Sequence, residues 1–357
     1  MRIVSVIGAR PQFIKAAPVC RALRAAHEEI LVHSGQHFDH GMSQVFFDEL
    51  GIPAPDYNLG VAGGGHGAMT GQMLGLLEEL FAELEPDLVL VYGDTNTTLA
   101  GGLAAAKLHI PVAHVEAGLR SFNRAMPEEI NRVLTDHLSE WLFCPTDTAV
   151  ANLAAEGITA GVHQVGDVML DTARAFAERV DAAEVTARFG LETGAYYLAT
   201  VHRAATADDP VALAGVTRAL AGLDLPVLWP VHPRTRKALE ASGLAAEFAD
   251  SAALRLVEPV SYLESNGLLR GAAALLTDSG GMQKEAYFFG VPCVTLREET
   301  EWVETVEAGG NRLVGVDPKR ILDAVAEVRA TALPAERPAF YGDGHAAEQI
   351  ARVLAGG

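Results

Sequence analysis

Over most of its length the chain alternates between short apolar runs rich in β-branched residues and longer segments of helical length. The short runs are 3–7, 30–33, 88–92, 112–115 and 142–144, followed by a second series at 197–201, 227–231, 254–257, 273–277 and 293–296. Between them lie helix-length segments such as 69–83, 100–107, 212–221 and 261–269. A parallel strand pair needs a long crossover, and a helix is the compact way to make one, so this alternation predicts α/β architecture with parallel sheets. Many of the runs are apolar at every position, as strands must be when helices cover both faces.

The chain's 357 residues exceed what one core usually holds. The two series of strands predict two doubly wound, Rossmann-like domains joined near 166–171. The expected division is 1–168, then 169–340, with a last helix inside 341–357 that could pack on either domain. A net charge of −19 repels nucleic acid and anionic lipid, so neither is an expected partner. Cys20, Cys144 and Cys293 sit among apolar neighbours without CxxC spacing and are expected to be buried thiols of a cytoplasmic protein. The N-terminal "MRIVSVIG" reads as a first strand rather than a signal peptide. No apolar stretch approaches the roughly 20 residues needed to span a bilayer. Metal motifs, the P-loop and GxGxxG after a strand are all missing, so no metal and no cofactor are expected.

Ligands of open parallel sheets bind beyond the carboxyl ends of the strands. In the first half those ends carry Arg10 and Lys15 in "GARPQFIK", Asp94 in "GDTNTT", and Glu116 and Arg120 in "EAGLRS". "MPEEINR" then adds Glu128, Glu129 and Arg132, with Pro127 at a helix start. In the second half the strand ends run into His202 and Arg203, into His232 and Arg234, and into the turn 278–281. Carboxylates crowd the first half; histidine, arginine and a glycine-rich helix start crowd the second. This asymmetry predicts a cleft between the domains, an anion held by the second and acid–base groups supplied by the first.

Several of these residues have plainer readings. Ser279 could simply cap the helix that begins in "TDSGGMQKEA". Neither Asp278 nor Ser279 has Glu or Gln three residues on, so no capping box uses up the N–H groups there. Glu285 could be solvated, or could accept hydrogen bonds from a ribose diol. Asp94 could only cap the helix after it. Glu116 follows a fully apolar strand, where a carboxylate is costly unless paired or functional.

Together "IGARPQFIKAAPV", "YGDTNTTLAG", "HVEAGLRS", "MPEEINR", "TDSGGMQKEA" and "CVTLREETEW" resemble the non-hydrolysing UDP-N-acetylglucosamine 2-epimerases, in order, from Ile7 to about Gly315. The resemblance implies the glycosyltransferase-B-like fold with its active site in the interdomain cleft, a UDP-sugar substrate and a homodimer. It implies interconversion of UDP-N-acetylglucosamine and UDP-N-acetylmannosamine without metal or nicotinamide, for cell-envelope polysaccharide biosynthesis. By motif, Lys15, Asp94, Glu116, Glu128 and His202 correspond to catalytic groups. Arg10, Arg132, Arg203, His232, Arg234, Ser279, Gly280, Gly281, Glu285, Arg297 and Glu301 are expected to bind the substrate. This chain has "QKEA", with Lys284, where the commoner pattern is "QEEA". It has "TEWVE", with Trp302, where a basic residue is usual. Residues 35–43 lack the Gln-rich form linked with activation by a second UDP-sugar. Other features resemble relatives acting on UDP-2,3-diacetamido-2,3-dideoxyglucuronate.

The chemistry explains why such groups are wanted. Elimination of UDP from C1 makes the C2 proton removable, and inversion needs a proton to leave one face and return to the other. Two acid–base groups on opposite walls are therefore expected. Competing readings are a glycosyltransferase of the same fold, a hydrolysing epimerase and a non-catalytic UDP-sugar sensor. The sensor could dispense with Asp94, Glu116 and Glu128, and all three are present.

Overall fold

A computed structural model describes residues 1–36, 47, 49–331 and 336–356. Most of the 35–43 stretch, from residue 37 onward, lies outside the described residues. Two compact units form: Met1–Arg174 with Ala339–Gly357, and Ala175–Pro338.

The first unit is built on a seven-stranded sheet of β1 (Arg2–Ile7), β2 (Glu28–His33), β3 (Tyr57–Asn58), β4 (Leu88–Tyr92), β5 (Val112–Val115), β6 (Trp141–Cys144) and β7 (Val162–Gln164). The order is β3-β2-β1-β4-β5-β6-β7, and each pairing is parallel. Val4 lies between Ile30 and Val89 in this register. On one face Val4, Val6, Val89 and Val91 pack with Met73, Leu77 and Phe81 of the helix His66–Leu84 and with Ala100 and Ala104 of the helix Asn96–Lys107. Each fully buried aliphatic side chain of this kind contributes about 1.5–3 kcal/mol. Close helix–sheet contact needs small residues: a Cβ on Gly101 would lie 3.1 Å from a Val91 methyl.

The second unit repeats the plan with β8 (Tyr197–Thr200), β9 (Val227–Pro230), β10 (Leu254–Val257), β11 (Ala274–Thr277), β12 (Cys293–Thr295) and β13 (Asn311–Leu313). The order is β10-β9-β8-β11-β12-β13, again parallel. Its core joins Tyr197, Ala199, Trp229 and Leu276 to Leu213, Val216 and Leu220 of the helix Pro210–Ala221 and to Ile321 and Val325 of the helix Pro318–Ala330. In each sheet the winding reverses between the first strand and its fourth, so β1/β4 and β8/β11 are the topological switch points where such sheets hold ligands.

The sequence reading omits β3, β7 and β13, which are two or three residues long at or near sheet edges and carry no continuous apolar run. The helix expected at 100–107 starts a turn earlier, at Asn96, because the Thr95 hydroxyl accepts from the Thr98 N–H at 3.3 Å. The last helix, Ala346–Leu354, belongs to the first unit. Asp171 caps it, accepting from Ala346 N at 3.1 Å and Ala347 N at 2.8 Å. No helix among the described residues is long and apolar enough to cross a membrane.

Candidate active site

In the first unit the switch point is built from turns after β1, β4 and β5. Gln12 organises the first of these. Its carbonyl oxygen accepts from Gly8 N at 2.8 Å and Ala9 N at 3.0 Å, while its amide donates to Tyr92 O at 3.0 Å. That fixes the start of the helix Arg10–Leu23 beside the end of β4, with Arg10 half-buried in its first turn and Lys15 buried one turn on. The Lys15 ammonium is paired with the Glu116 carboxylate, and both side chains are almost fully enclosed. Glu116 has φ +72°, a left-handed conformation uncommon for a residue with a side chain and frequent at functional sites. Gly93 makes room for the pair, since a Cβ there would lie 2.8 Å from Lys15 Nζ and 3.3 Å from Glu116 Oε2.

Asp94, next in the chain, is partly exposed and pairs with Arg132. It is not the helix cap; Thr95 is. Asn131 donates to the Asp94 carbonyl at 3.0 Å. The two glutamates of "MPEEINR" separate cleanly. Glu129 is buried and accepts from Ser121 N and Ser121 Oγ, each at 2.9 Å, and from Phe122 N at 3.0 Å, with Arg132 at 3.2 Å. It is a clamp on the loop before its helix. Glu128 is half-buried and has no hydrogen bond or ion pair among the described residues, so its carboxylate is available.

Beneath these turns lies a buried ionic chain. His114, inside β5, places Nδ1 2.7 Å from Asp136 Oδ1 and Nε2 2.7 Å from the Gly93 carbonyl oxygen. Asp136 also accepts from Arg120 at 2.6 Å and Gly118 N at 3.1 Å, and Arg120 forks onto Glu156 at 2.7 and 2.8 Å. Burial pushes the Asp136 carboxyl up, but the hydrogen bonds and charges of His114 and Arg120 outweigh it and hold it below its ordinary range. Arg120 thus has a structural partner set.

In the second unit the strand ends of β8, β9 and β11 converge. Asp278 is fully buried and accepts from His202 N at 2.9 Å and Arg203 N at 2.8 Å, with His202 Nδ1 at 3.1 Å from its other oxygen. Burial opposes its ionisation; His202 and these N–H groups override that and hold the carboxyl low. The ring centres of His202 and His232 stand 5.7 Å apart. His232 Nδ1 accepts from Arg234 N at 3.2 Å, and exposed Arg234 faces Asp208 at 3.9 Å.

The helix Gly280–Phe289 starts directly after this turn. Ser279 Oγ accepts only a long 3.4 Å bond from Met282 N, so the plain capping reading holds in part. Gly280 allows close approach: a Cβ there would meet Glu301 Oε1 at 2.7 Å and Trp302 Nε1 at 3.1 Å. Glu301 pairs with Arg297 at 2.9 Å and lies 3.9 Å from Arg203. Arg297 Nη1 is buried without a hydrogen-bond partner among the described residues, a donor that an anionic ligand would satisfy. Glu285 is buried, not solvated, and accepts from the Tyr262 hydroxyl at 2.9 Å. Lys284, also buried, holds its ammonium 4.0 Å from the centre of the Trp302 ring. Among the described residues no group of three or more His, Cys, Asp or Glu is placed to hold a metal.

The family model described as UDP-N-acetylglucosamine 2-epimerase matches residues 21–355. The chain belongs to the UDP-N-acetylglucosamine 2-epimerase family. A UDP-2,3-diacetamido-2,3-dideoxy-D-glucuronate 2-epimerase of Pseudomonas aeruginosa is 50% identical over 364 residues, covering 99% of each chain. A UDP-N-acetylglucosamine 2-epimerase homolog of Methanococcus maripaludis is 49% identical over 358 residues, again covering 99% of each. Among solved structures, the Methanocaldococcus jannaschii UDP-GlcNAc 2-epimerase, in complex with UDP-GlcNAc and UDP, matches with TM-score 0.93 at 41% identity over 100% of both chains.

As a member of the UDP-N-acetylglucosamine 2-epimerase family the protein is an isomerase, and its paired parallel sheets are of the glycosyltransferase-B type. Within the first unit the structure gathers Arg10, Lys15, Asp94, Glu116 and Arg132 around one switch point. Within the second it gathers His202, Arg203, His232, Ser279, Gly280, Gly281, Arg297 and Glu301, with Glu285 one turn further along the helix. Arg234 points to Asp208 on the surface instead. His114, Asp136, Gln12, Asn131 and Tyr262 escape the strand-end reading because they lie inside elements. One signal was available: a histidine in the otherwise apolar "VAHV" must have buried partners, and Asp136 is the acid on the neighbouring helix.

Proposed function

We propose that the chain is a non-hydrolysing 2-epimerase that interconverts UDP-N-acetylglucosamine and UDP-N-acetylmannosamine. The observation that carries the reading is the Lys15–Glu116–Gly93 arrangement: a buried carboxylate in a left-handed turn, charge-balanced by an ammonium, against the glycine that directly precedes Asp94. The reading requires these groups to act on the same UDP-sugar as the cationic strand ends of the second unit.

In the proposed reaction the C2–H bond breaks to a carboxylate while the C1–O bond breaks and UDP departs with the electron pair, leaving a 2-acetamidoglucal. UDP then returns to C1 and a proton is delivered to the opposite face of C2. Asp94, Glu116 and Glu128 are the acid–base candidates, and the Lys15 ammonium balances the charge of Glu116. The departing diphosphate is held by the N–H groups of Gly280 and Gly281, the positive end of their helix, Arg10 and His202; the Ser279 N–H is already taken by Thr277 Oγ1 at 2.9 Å. Glu285 accepts from the ribose hydroxyls in exchange for the Tyr262 hydroxyl.

A second substrate has a specific observation in its favour. Identity is 50% to the diacetamidoglucuronate enzyme but 41% to the epimerase solved with UDP-GlcNAc. The two departures at 284 and 302 also touch one another: a cation–π pair stands where the commoner pattern would place an acid and a base. Proton NMR in D₂O with both UDP-sugars distinguishes them. One solvent deuteron at C2, with UDP still attached, identifies reaction and substrate together. Release of free sugar, or dependence on an acceptor, would replace the reading by a hydrolase or a transferase. The reading also carries a homodimer in the cytoplasm, and sedimentation would test the assembly.

A further inference from the structure

We infer that His114 is a positioning residue, an imidazolium donating from both ring nitrogens, that couples the Asp94 turn to the Glu116 turn; the inference rests on the proposed acid–base role of those two carboxylates. The hydrogen-bond partners force the charge. A neutral imidazole has one donor and one acceptor nitrogen. His114 offers one nitrogen to a backbone carbonyl, Gly93 O at 2.7 Å, which can only accept. It offers the other to Asp136 Oδ1 at 2.7 Å. Asp136 Oδ2 already accepts from the Arg120 guanidinium at 2.6 Å and from Gly118 N at 3.1 Å, and a cation and an N–H donor on that oxygen favour the carboxylate over the acid. Both ring nitrogens must therefore donate. The charges facing the ring form a short alternating series of Asp136, Arg120 and Glu156, so a fully buried cation is compensated.

The position of this ion pair gives it a role beyond stability. At one end it holds the carbonyl of Gly93, the residue with φ +61° whose missing side chain leaves room for Lys15 and Glu116. Asp94 is the next residue. At the other end Asp136 holds the N–H of Gly118, which has φ +81° and lies two residues after Glu116. A Cβ on Gly118 would lie 2.8 Å from the Ala149 carbonyl carbon, so the turn packs directly on the backbone of the helix Asp147–Ala155 and has room only for glycine. One proton on His114 thus fixes the mutual placement of the two turns that carry the proposed acid–base groups.

The test uses ring-¹⁵N-histidine enzyme, with His114→Gln to assign the signal. At neutral pH both His114 nitrogens are expected to show protonated-type shifts. One unprotonated nitrogen would overturn the inference without any assay of activity. Asp136→Asn preserves shape but cannot accept from His114, Arg120 and Gly118 together. It is expected to lower kcat for C2 deuterium exchange about 10- to 100-fold, the range for lost outer-shell support. UDP affinity by calorimetry should be unchanged. If Asp136→Asn does not fold, His114→Gln carries the same reading, since one amide cannot reach both acceptors. Full kcat in the folded variant overturns the positioning role. Failure of the wild-type enzyme to exchange C2 hydrogen on either UDP-sugar would instead remove the proposed function, while the ring-nitrogen result would still decide the charge of His114.

Discussion

Lys15 pairs with Glu116 directly against the bare Cα of Gly93. Three segments distant in sequence meet there because the helix after β1 and the turns after β4 and β5 all open at one switch point. Gly93→Ala places a methyl 2.8 Å from the ammonium and forces a side-chain-bearing residue to φ +61°, which costs about 1–2 kcal/mol in backbone energy. The variant is expected to melt several degrees lower and to exchange C2 deuterium at least about tenfold more slowly, a rise in barrier of about 1.4 kcal/mol. Wild-type turnover in Gly93→Ala would show that the pair is not held in its working geometry by this contact.

The adjacent acids Glu128 and Glu129 should behave oppositely. Glu129 binds Ser121, Phe122 and Arg132, whereas Glu128 has no such partners among the described residues. Glu129→Gln should lose about 1–3 kcal/mol of stability, because buried donors lose a charged acceptor. Glu128→Gln should melt like the wild type yet turn over at least about 10²-fold more slowly if its carboxylate moves a proton. Thermal melts alongside deuterium exchange separate the two. An active Glu128→Gln protein would strike that residue from the mechanism.

How far the sequence could be read follows from what each residue answers to. β4 and β11 are legible because burial on both faces demands an unbroken apolar run, and strand ends then name Asp94, Glu116, His202 and the Ser279 turn. β3 and β13 are not, because a strand of two or three residues needs only an edge to pair with. Glu129 could not be separated from Glu128 by sequence, since both sit in a helix's first turn and only tertiary packing decides which faces inward. Asp278 anchors the backbone of His202 and Arg203, a contact between two strand ends far apart in the chain that local sequence does not reveal. The placement of the last helix was open because its partner, Asp171, is separated from Ala346 by 175 residues.

Lys284 and Trp302 are two positions where this chain leaves the commoner pattern, and they form one contact, ammonium over ring at 4.0 Å. A desolvated cation–π pair contributes up to about 2 kcal/mol. A double-mutant cycle with Lys284→Met and Trp302→Leu should therefore show a coupling of about 1–2 kcal/mol in denaturant melts. Strict additivity of the two losses would mean that the departures are independent.

Asp171 gives the fold a pH dependence of unusual sign. Burial pushes its carboxyl up from 3.8 to about 6, against the lowering effect of the Ala347 and Ala346 N–H groups; the neighbouring Glu348 and Asp167 charges add to the rise. A group whose folded value is raised favours the folded state when protonated. Its contribution is full below the unfolded value of about 3.9 and is lost as pH rises through about 6. Stability is expected to fall between pH 4 and pH 6 by no more than about 3 kcal/mol from this residue, since each tenfold change in proton affinity is worth roughly 1.4 kcal/mol. Asp136 and Asp278 act in the other direction, since their lowered carboxyls favour the folded state above their unfolded range and lose that effect only at more acid pH. Asp171→Asn keeps an acceptor for one of the two N–H groups and cannot ionise. Its melts should lack the decline between pH 4 and pH 6, with the difference concentrated in the helix Ala346–Leu354, whose amide protection by hydrogen exchange would follow the same curve. Identical pH profiles for the two proteins would show that the Asp171 carboxyl titrates as it does in the unfolded chain.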